Sequence, residues 1–357
     1  MKKLDWYILK KFLGTFAYAI MILAVITAVI DYSEKVDDFV KRQAPLLEIL
    51  NYYKNFIPYM VAFLFPLFIF ISTIFFTSKL AYKSEIIAIL ASGVSYPRFL
   101  RPYMYGALIL CGISLIANHW IVPAANKQRL LFEKRYVKEL AFKAQRNFHL
   151  RLPGDIYVFL QSYDYQSNTG YRFTAEHIVG TELREKLSAD RISYDSARGE
   201  WKLYNVMVRK NNGLEEELVH HNELTKAYQF VPKDIDQDNE IMGSMTTPEL
   251  SKTIERERQR GRENLNFYII ERHRRTAQPF AGIILTLIGV AIASNKVRGG
   301  SGLHLAVGII ISAGYIMALQ FSTTFSTRAG MNPLLAVWIP NIIFGVLALF
   351  LLRRQTK

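Results

Sequence analysis

Six long stretches of the chain contain no Lys, Arg, Asp or Glu: residues 12–30, 55–78, 102–126, 276–295, 299–327 and 329–352. The shortest is 19 residues long, and about 20 helical residues cross the hydrocarbon core of a bilayer. A backbone in lipid has no water to bond with and must satisfy its own hydrogen bonds, which a helix does. The pattern therefore predicts six transmembrane helices, three on each side of a charged segment. The first run resembles a signal peptide, but it is longer than an h-region and runs into Asp31-Tyr32-Ser33-Glu34 without a small-x-small site. It is expected to stay as the first span.

Between the two groups the apolar period changes. Residues 127–147 are charged and helix-prone, continuing the third run. From about residue 150, short runs rich in β-branched and aromatic residues alternate with turn signals. Ile156-Tyr157-Val158-Phe159-Leu160 is one such run, and residues 171–179 form another after the Asn168-Thr169-Gly170 turn. In residues 201–208 the apolar positions are odd through Leu203 and even from Tyr204, which suggests a bulge. Asn211-Asn212-Gly213 signals a hairpin, and 218–230 offers one or two more strands. Such spacing fits an antiparallel sandwich or jelly roll rather than βαβ units. The predicted fold class is an α-helical membrane bundle of six helices (3+3) with an inserted all-β, jelly-roll-like extracytoplasmic domain. Its divisions are 1–126, 127–265 and 266–357. A polar linker at 232–243 precedes Thr246-Thr247-Pro248-Glu249, a helix start with Thr as cap. Residues 255–275 read as a solvated, charge-laced helix entering the fourth span.

The formal net charge is +14, yet residues 127–275 hold 26 basic against 23 acidic residues. The excess sits around the spans, which argues against a nucleic-acid partner. With the N-terminus inside, the cytoplasmic ends and loops carry 13 basic residues against Asp5 and Glu85, while the opposite short loops hold five of each sign. Positive residues stay cytoplasmic, so both termini are expected inside and the β-domain outside. Cys111, the one cysteine, lies in the third run, so no disulfide framework exists within the chain.

No P-loop, G-x-S-x-G, H-E-x-x-H or C-x-x-C motif occurs. His220 and His221 are adjacent and would point to opposite faces of a strand, which does not suit a shared metal. No metal, catalytic residue or cofactor is expected. The apolar runs carry no ionisable carboxylate or amine, unlike the spans of ion-coupled transporters.

The loop between the second and third spans holds Ser84-Glu85-Ile86-Ile87-Ala88-Ile89-Leu90-Ala91-Ser92-Gly93. Ser84 is placed as a cap, Glu85 in the first turn and Gly93 as the stop. Ile86, Ile89 and Leu90 share a face. Such a helix can lie on lipid, on its own bundle or in a partner, with Glu85 against a basic group.

This stretch is similar to the coupling helix of the lipopolysaccharide export permease family LptF/LptG (YjgP/YjgQ). Three other stretches carry the same resemblance. Leu4-Asp5-Trp6-Tyr7-Ile8 opens the chain as family members open. Glu271-Arg272-His273-Arg274-Arg275-Thr276-Ala277-Gln278-Pro279 resembles the E-x-H-x-R-x-x-x-P entry to the fourth span. Pro333 and Trp338-Ile339-Pro340-Asn341 resemble the last. The match spans nearly the whole chain.

The resemblance implies a half-transporter in the inner membrane of a Gram-negative bacterium. A second permease of the family would complete it, and a cytoplasmic ABC ATPase dimer would contact Glu85, Ile86, Ile89, Leu90 and Gly93. A periplasmic bridge protein of jelly-roll type would receive lipopolysaccharide. Lys35, Lys41 and Arg42 are candidate head-group contacts, although Asp31 stands where G-type members often have a basic residue. Ile156, Val158, Leu160, Phe173 and Trp201 are the candidate lipid path through the β-domain. The alternative is a permease of another ABC system, for lipoprotein release or efflux, though such chains usually have four spans. A non-transporting scaffold would not need the Glu85 helix.

Overall fold

The computed structural model describes residues 3–137, 145–164, 167–196, 198–212, 215–235, 239–259, 265–295 and 301–355. Its contacts divide into two units. One holds residues 1–137, 241–250 and 266–357, and the other residues 138–240 and 251–265.

In the first unit, α1 (Lys3–Lys41) and α2 (Leu46–Tyr82) precede a short α3 (Glu85–Ala91). Then α4 (Tyr96–Ile116) passes through a π-helical turn, Ala117–Ile121, into α5 (Val122–Tyr136). Pro123 has no N–H to offer the carbonyl four residues back, and the wide turn absorbs that break. The last three spans are α9 (Leu265–Ala293), α10 (Ser301–Ala329) and α11 (Pro333–Gln355). Six helices are thus long and apolar enough to cross a membrane. The first runs eleven residues beyond its uncharged stretch, carrying Asp31 and Lys35 along its axis.

The second helix is the hub of this unit. Phe65, Ile69, Phe76 and Leu80 on α2 pack with Ile8, Phe12, Tyr96, Phe99 and Tyr103. Phe70 and Ile74, also on α2, pack with Leu285, Ile288 and Tyr315 of the last three spans. Buried polar pairs add direction where lipid offers no competing partner. Tyr315 Oη donates to Asn341 Oδ1 at 2.9 Å, and Asn341 Nδ2 donates to the Ala277 carbonyl at 2.9 Å.

The second unit is a six-stranded antiparallel sheet with strands in sequential order. These are β1 (Gln145–Leu152), β2 (Ile156–Asp164), β3 (Thr169–Val179), β4 (Glu182–Asp195), β5 (Glu200–Asn212) and β6 (Glu215–Lys226). The change of phase expected in 201–208 is present, but not as a bulge. Pairing with both neighbours keeps one offset on either side of Asn205. Instead an unpaired row crosses the whole sheet, made of Asn147, Gln161, Arg172, Asp190, Asn205 and Asn222. Alternate strands cross it with a left-handed residue: Asn147, Arg172 and Asn205 have φ of 55°, 51° and 54°. Strands β2 to β6 swap their inward parity there, so on β5 Val206 and Val208 face in on one side, Leu203 and Trp201 on the other.

The creased sheet curls over its apolar face. Three strand spacings cover about 14 Å, yet the rings of Tyr163 on β2 and Trp201 on β5 lie 6.3 Å apart. After β6 the chain forms α6 (Pro232–Ile235), α7 (Asn239–Met242) and α8 (Thr247–Gln259). The helix start read at Thr246 carries the glutamate half of a capping box, in which Glu249 Oε2 accepts from the Thr246 N–H (2.7 Å) and hydroxyl (2.9 Å). Residues 138–144 of the charged third-span extension, Gly213 of the hairpin, 236–238 of the linker, 260–264 of the charge-laced segment and the basic 296–300 loop lie outside the described residues.

Candidate functional site

The short helix α3 is built to present one face and bury the other. Ile86 is buried among Leu80, Tyr96 and Phe99, and Ile89 and Leu90 pack partly against the same cluster. The open face therefore holds Ile87, which is 55% exposed, together with Ala88 and Ala91. Ser84 does not cap with its side chain as expected. It sits at φ 59°, left-handed, and its carbonyl accepts the Ala88 N–H at 3.0 Å. Gly93 ends the helix as read, at φ 86°, a conformation open to glycine without strain. Glu85 is half-buried and accepts a hydrogen bond from Tyr7 Oη of α1 at 3.2 Å. Beside the helix end, a recess of about 350 Å³ is lined by Leu4, Asp5, Gly93, Arg98 and Arg101. Asp5 and Arg98 close it with a 2.7 Å ion pair between α1 and α4.

Where α1 extends past its uncharged run, four charges meet. Lys35 Nζ donates to Asp31 Oδ1 (2.6 Å), Tyr52 Oη (2.6 Å) and Glu133 Oε1 (2.9 Å). An ammonium has three hydrogens, so all are committed. Arg129 also reaches Glu133, at 2.9 Å, and its guanidinium lies 4.4 Å from the Tyr59 ring centroid. Two cations and two carboxylates thus cancel in a cluster that ties α1, α2 and α5 together. Of the other candidate head-group cations, Lys41 is exposed, and Arg42 donates to the Arg135 carbonyl at 3.4 Å.

The fourth-span entry forms a second lock. Arg275 is 4% exposed rather than solvated, because its planar fork finds three acceptors. It donates to Glu271 Oε1 (3.1 Å), Thr247 Oγ1 (3.3 Å) and the Met242 carbonyl (3.1 Å). His119, on the π turn, shares a 2.8 Å hydrogen bond with the same Thr247 hydroxyl. Sequence reasoning missed Glu133, Arg129, Tyr52 and Thr247 here. Glu133 and Thr247 meet their partners across long sequence separations, 98 positions from Lys35 and 28 from Arg275, which local pattern does not encode.

In the β-unit all five expected lining residues face inward. Val158, Leu160, Phe173 and Trp201 are at most 2% exposed, and Ile156 packs partly against them. The structure brings them into one core with Phe148, Leu187 and Phe230. No group of three or more His, Cys, Asp or Glu suited to a metal ion occurs among the described residues.

Against this geometry stand two comparisons with known proteins. A family model described as lipopolysaccharide export system permease LptF/LptG matches residues 6–354. The chain belongs to this family. It is also similar to the lipopolysaccharide export system permease protein LptG of Haemophilus influenzae, with 20% identity over 99% of this chain and 98% of that protein. As an LptF/LptG member it is a lipopolysaccharide export permease of the inner membrane. Its six apolar helices and inserted antiparallel sheet are the architecture read from its sequence.

Proposed function

We propose that this chain is one half of an ATP-driven permease that lifts lipopolysaccharide out of the inner membrane and delivers it outward. A cytoplasmic ABC ATPase dimer would dock against α3, a second permease of the family would complete the bundle, and a jelly-roll bridge protein would take lipid from the β-unit. Hydrolysis belongs to the partner, since the chain carries no nucleotide motif.

The observation that carries this reading is the two-faced α3. A seven-residue helix is too short to be stable alone, and here its inner face is pinned by Ile86 and by the Tyr7–Glu85 bond. That leaves Ile87, Ala88 and Ala91 as a small apolar knob beside the Arg98–Arg101 recess. A rigid knob attached to α1 and α4 can pass a push from a docked protein into two spans at once. Glu85, Ile89, Leu90 and Gly93 then act by holding and ending the knob. Basic bias around α3 supports its cytoplasmic placement, which puts the β-unit in the periplasm.

The test is isolation of the tagged chain from native membranes, followed by lipid-release assays with a soluble acceptor. An ATPase and a second family permease should co-purify, and release should require ATP. Glu85→Lys should lose the ATPase while the chain remains in the membrane. Normal export by that variant at full ATPase stoichiometry would overturn the docking assignment.

A further inference from the structure

The interior of the β-unit is occupied by the chain's own segment. The last ladder pair of β6 is Lys226 with Trp201. Beyond it residues 227–235 leave the sheet, with Tyr228, Phe230 and Ile235 turned inward and Val231 left outward. Phe230 is 2% and Ile235 0% exposed. Phe230 stacks on Trp201 with centroids 4.8 Å apart at 26°, and Tyr228 lies 5.5 Å from Phe173. The segment therefore covers two of the five residues assigned to the lipid path.

Its attachment is unlike that of a strand. Trp201 Nε1 donates to the Phe230 carbonyl at 2.9 Å, and the ring contacts of Tyr228 and Phe230 with Phe173 and Trp201 are apolar. The Tyr228 hydroxyl is buried without a hydrogen-bond partner in the structure, a cost that a buried polar group normally avoids. Burial also pushes that hydroxyl's pKa upward, with Glu185 adding to the shift. Apolar contact is non-directional, so a hydrocarbon chain can replace it with little change in buried area. Release would free the Tyr228 hydroxyl to find a partner. It would also leave the Trp201 N–H facing the path, a donor suited to the ester or amide carbonyl of an acylated lipid.

We propose that residues 227–235 form an internal strap that fills the acyl-chain path and is displaced each time a lipid chain enters. This rests on the reading of the β-unit as a lipid path. The strap keeps the roll's apolar lining covered between transfers, when an empty roll would expose it to water.

The experiment uses the full chain with its co-purified partners in proteoliposomes containing lipopolysaccharide. A diazirine-bearing aliphatic residue replaces Leu160, and lipid adducts are counted with and without ATP. With the native strap, adducts should depend on ATP. Phe230→Ala should raise the ATP-independent yield several-fold, towards the ATP-driven level. Tyr228→Phe removes the unpaired hydroxyl, tightens the strap and should lower the ATP-driven yield. If Phe230→Ala fails to assemble, Tyr228→Phe decides alone. Unchanged yields and ATP dependence in the variants would overturn the strap while leaving the lipid path standing. No adduct at 160 in any background, with the same probe labelling lipid inside the membrane bundle, would instead remove the path itself.

Discussion

At the scale of single residues, Lys35 shows how partners distant in sequence add a second role to a charge read alone. In the sequence it is a basic residue just past the first span, a natural candidate for a lipid phosphate. Its partner Glu133 lies 98 positions away, and nothing in local pattern announces that meeting. The ammonium is only 16% exposed and holds two carboxylates. Removing one partner of a buried ionic cluster costs about 3–5 kcal/mol, mostly for the charge left behind. Lys35→Met should therefore lower stability by about 3 kcal/mol, measured by thermal unfolding in detergent. Adding Asp31→Asn should recover most of that loss. A double variant with restored stability and full lipid release would place Lys35 in the scaffold. Restored stability with release lost would return it to the head-group path. Gly106 makes a similar point about packing, because a Cβ there would lie 2.5 Å from the Phe12 ring. Gly106→Val should separate α1 from α4 and reduce yield of folded protein.

Elements were the most legible scale, with limits that are physical. An apolar period identifies an amphipathic helix at 84–93, but it does not say which of two flanking surfaces covers the apolar face. The bundle covers Ile86, Ile89 and Leu90, and Ile87 is left outward. Ile87→Asp should thus weaken ATPase co-purification with the melting temperature unchanged, whereas Ile86→Asp should lower the melting temperature itself. Equal effects from both would mean that α3 has no separate docking face. The strand pattern likewise exposed the change of phase near Tyr204, yet not that the neighbouring strands make it in one row. That row depends on neighbours aligned by register, which a single strand does not encode. The helix start at 246–249 was read correctly, but the capping group is the Glu249 carboxylate rather than the Thr side chain, and it carries a pH signature. Hydrogen bonds from the Thr246 N–H and hydroxyl hold the Glu249 carboxyl below its usual value. Its contribution is present above the unfolded pKa and fades as pH falls through the folded one. The amide-exchange protection of Thr246 should drop in acid, and Glu249→Gln should flatten that dependence.

For the whole molecule, the division into six spans and an inserted β-unit was legible because lipid and water impose opposite compositions on long stretches of chain. The locks at Lys35 and Arg275 were not, because each joins segments far apart in sequence through one or two polar atoms. Sidedness rests on a third kind of signal, the 13-to-5 distribution of basic residues between the two sets of short loops and ends. That bias acts during insertion, when positive flanks are retained on the cytoplasmic side, and the proposed direction of α3 and the β-unit depends on it. It can be tested directly, since Cys111 is buried in the third span and the chain has no other cysteine. In a Cys111→Ser background, Asn212→Cys and Gln237→Cys should react with an impermeant thiol reagent in intact spheroplasts. Ser92→Cys and Gly299→Cys should react only after the membrane is opened. The reverse pattern would place α3 outside, beyond reach of any ATP-driven partner, and the export direction would have to be abandoned with it.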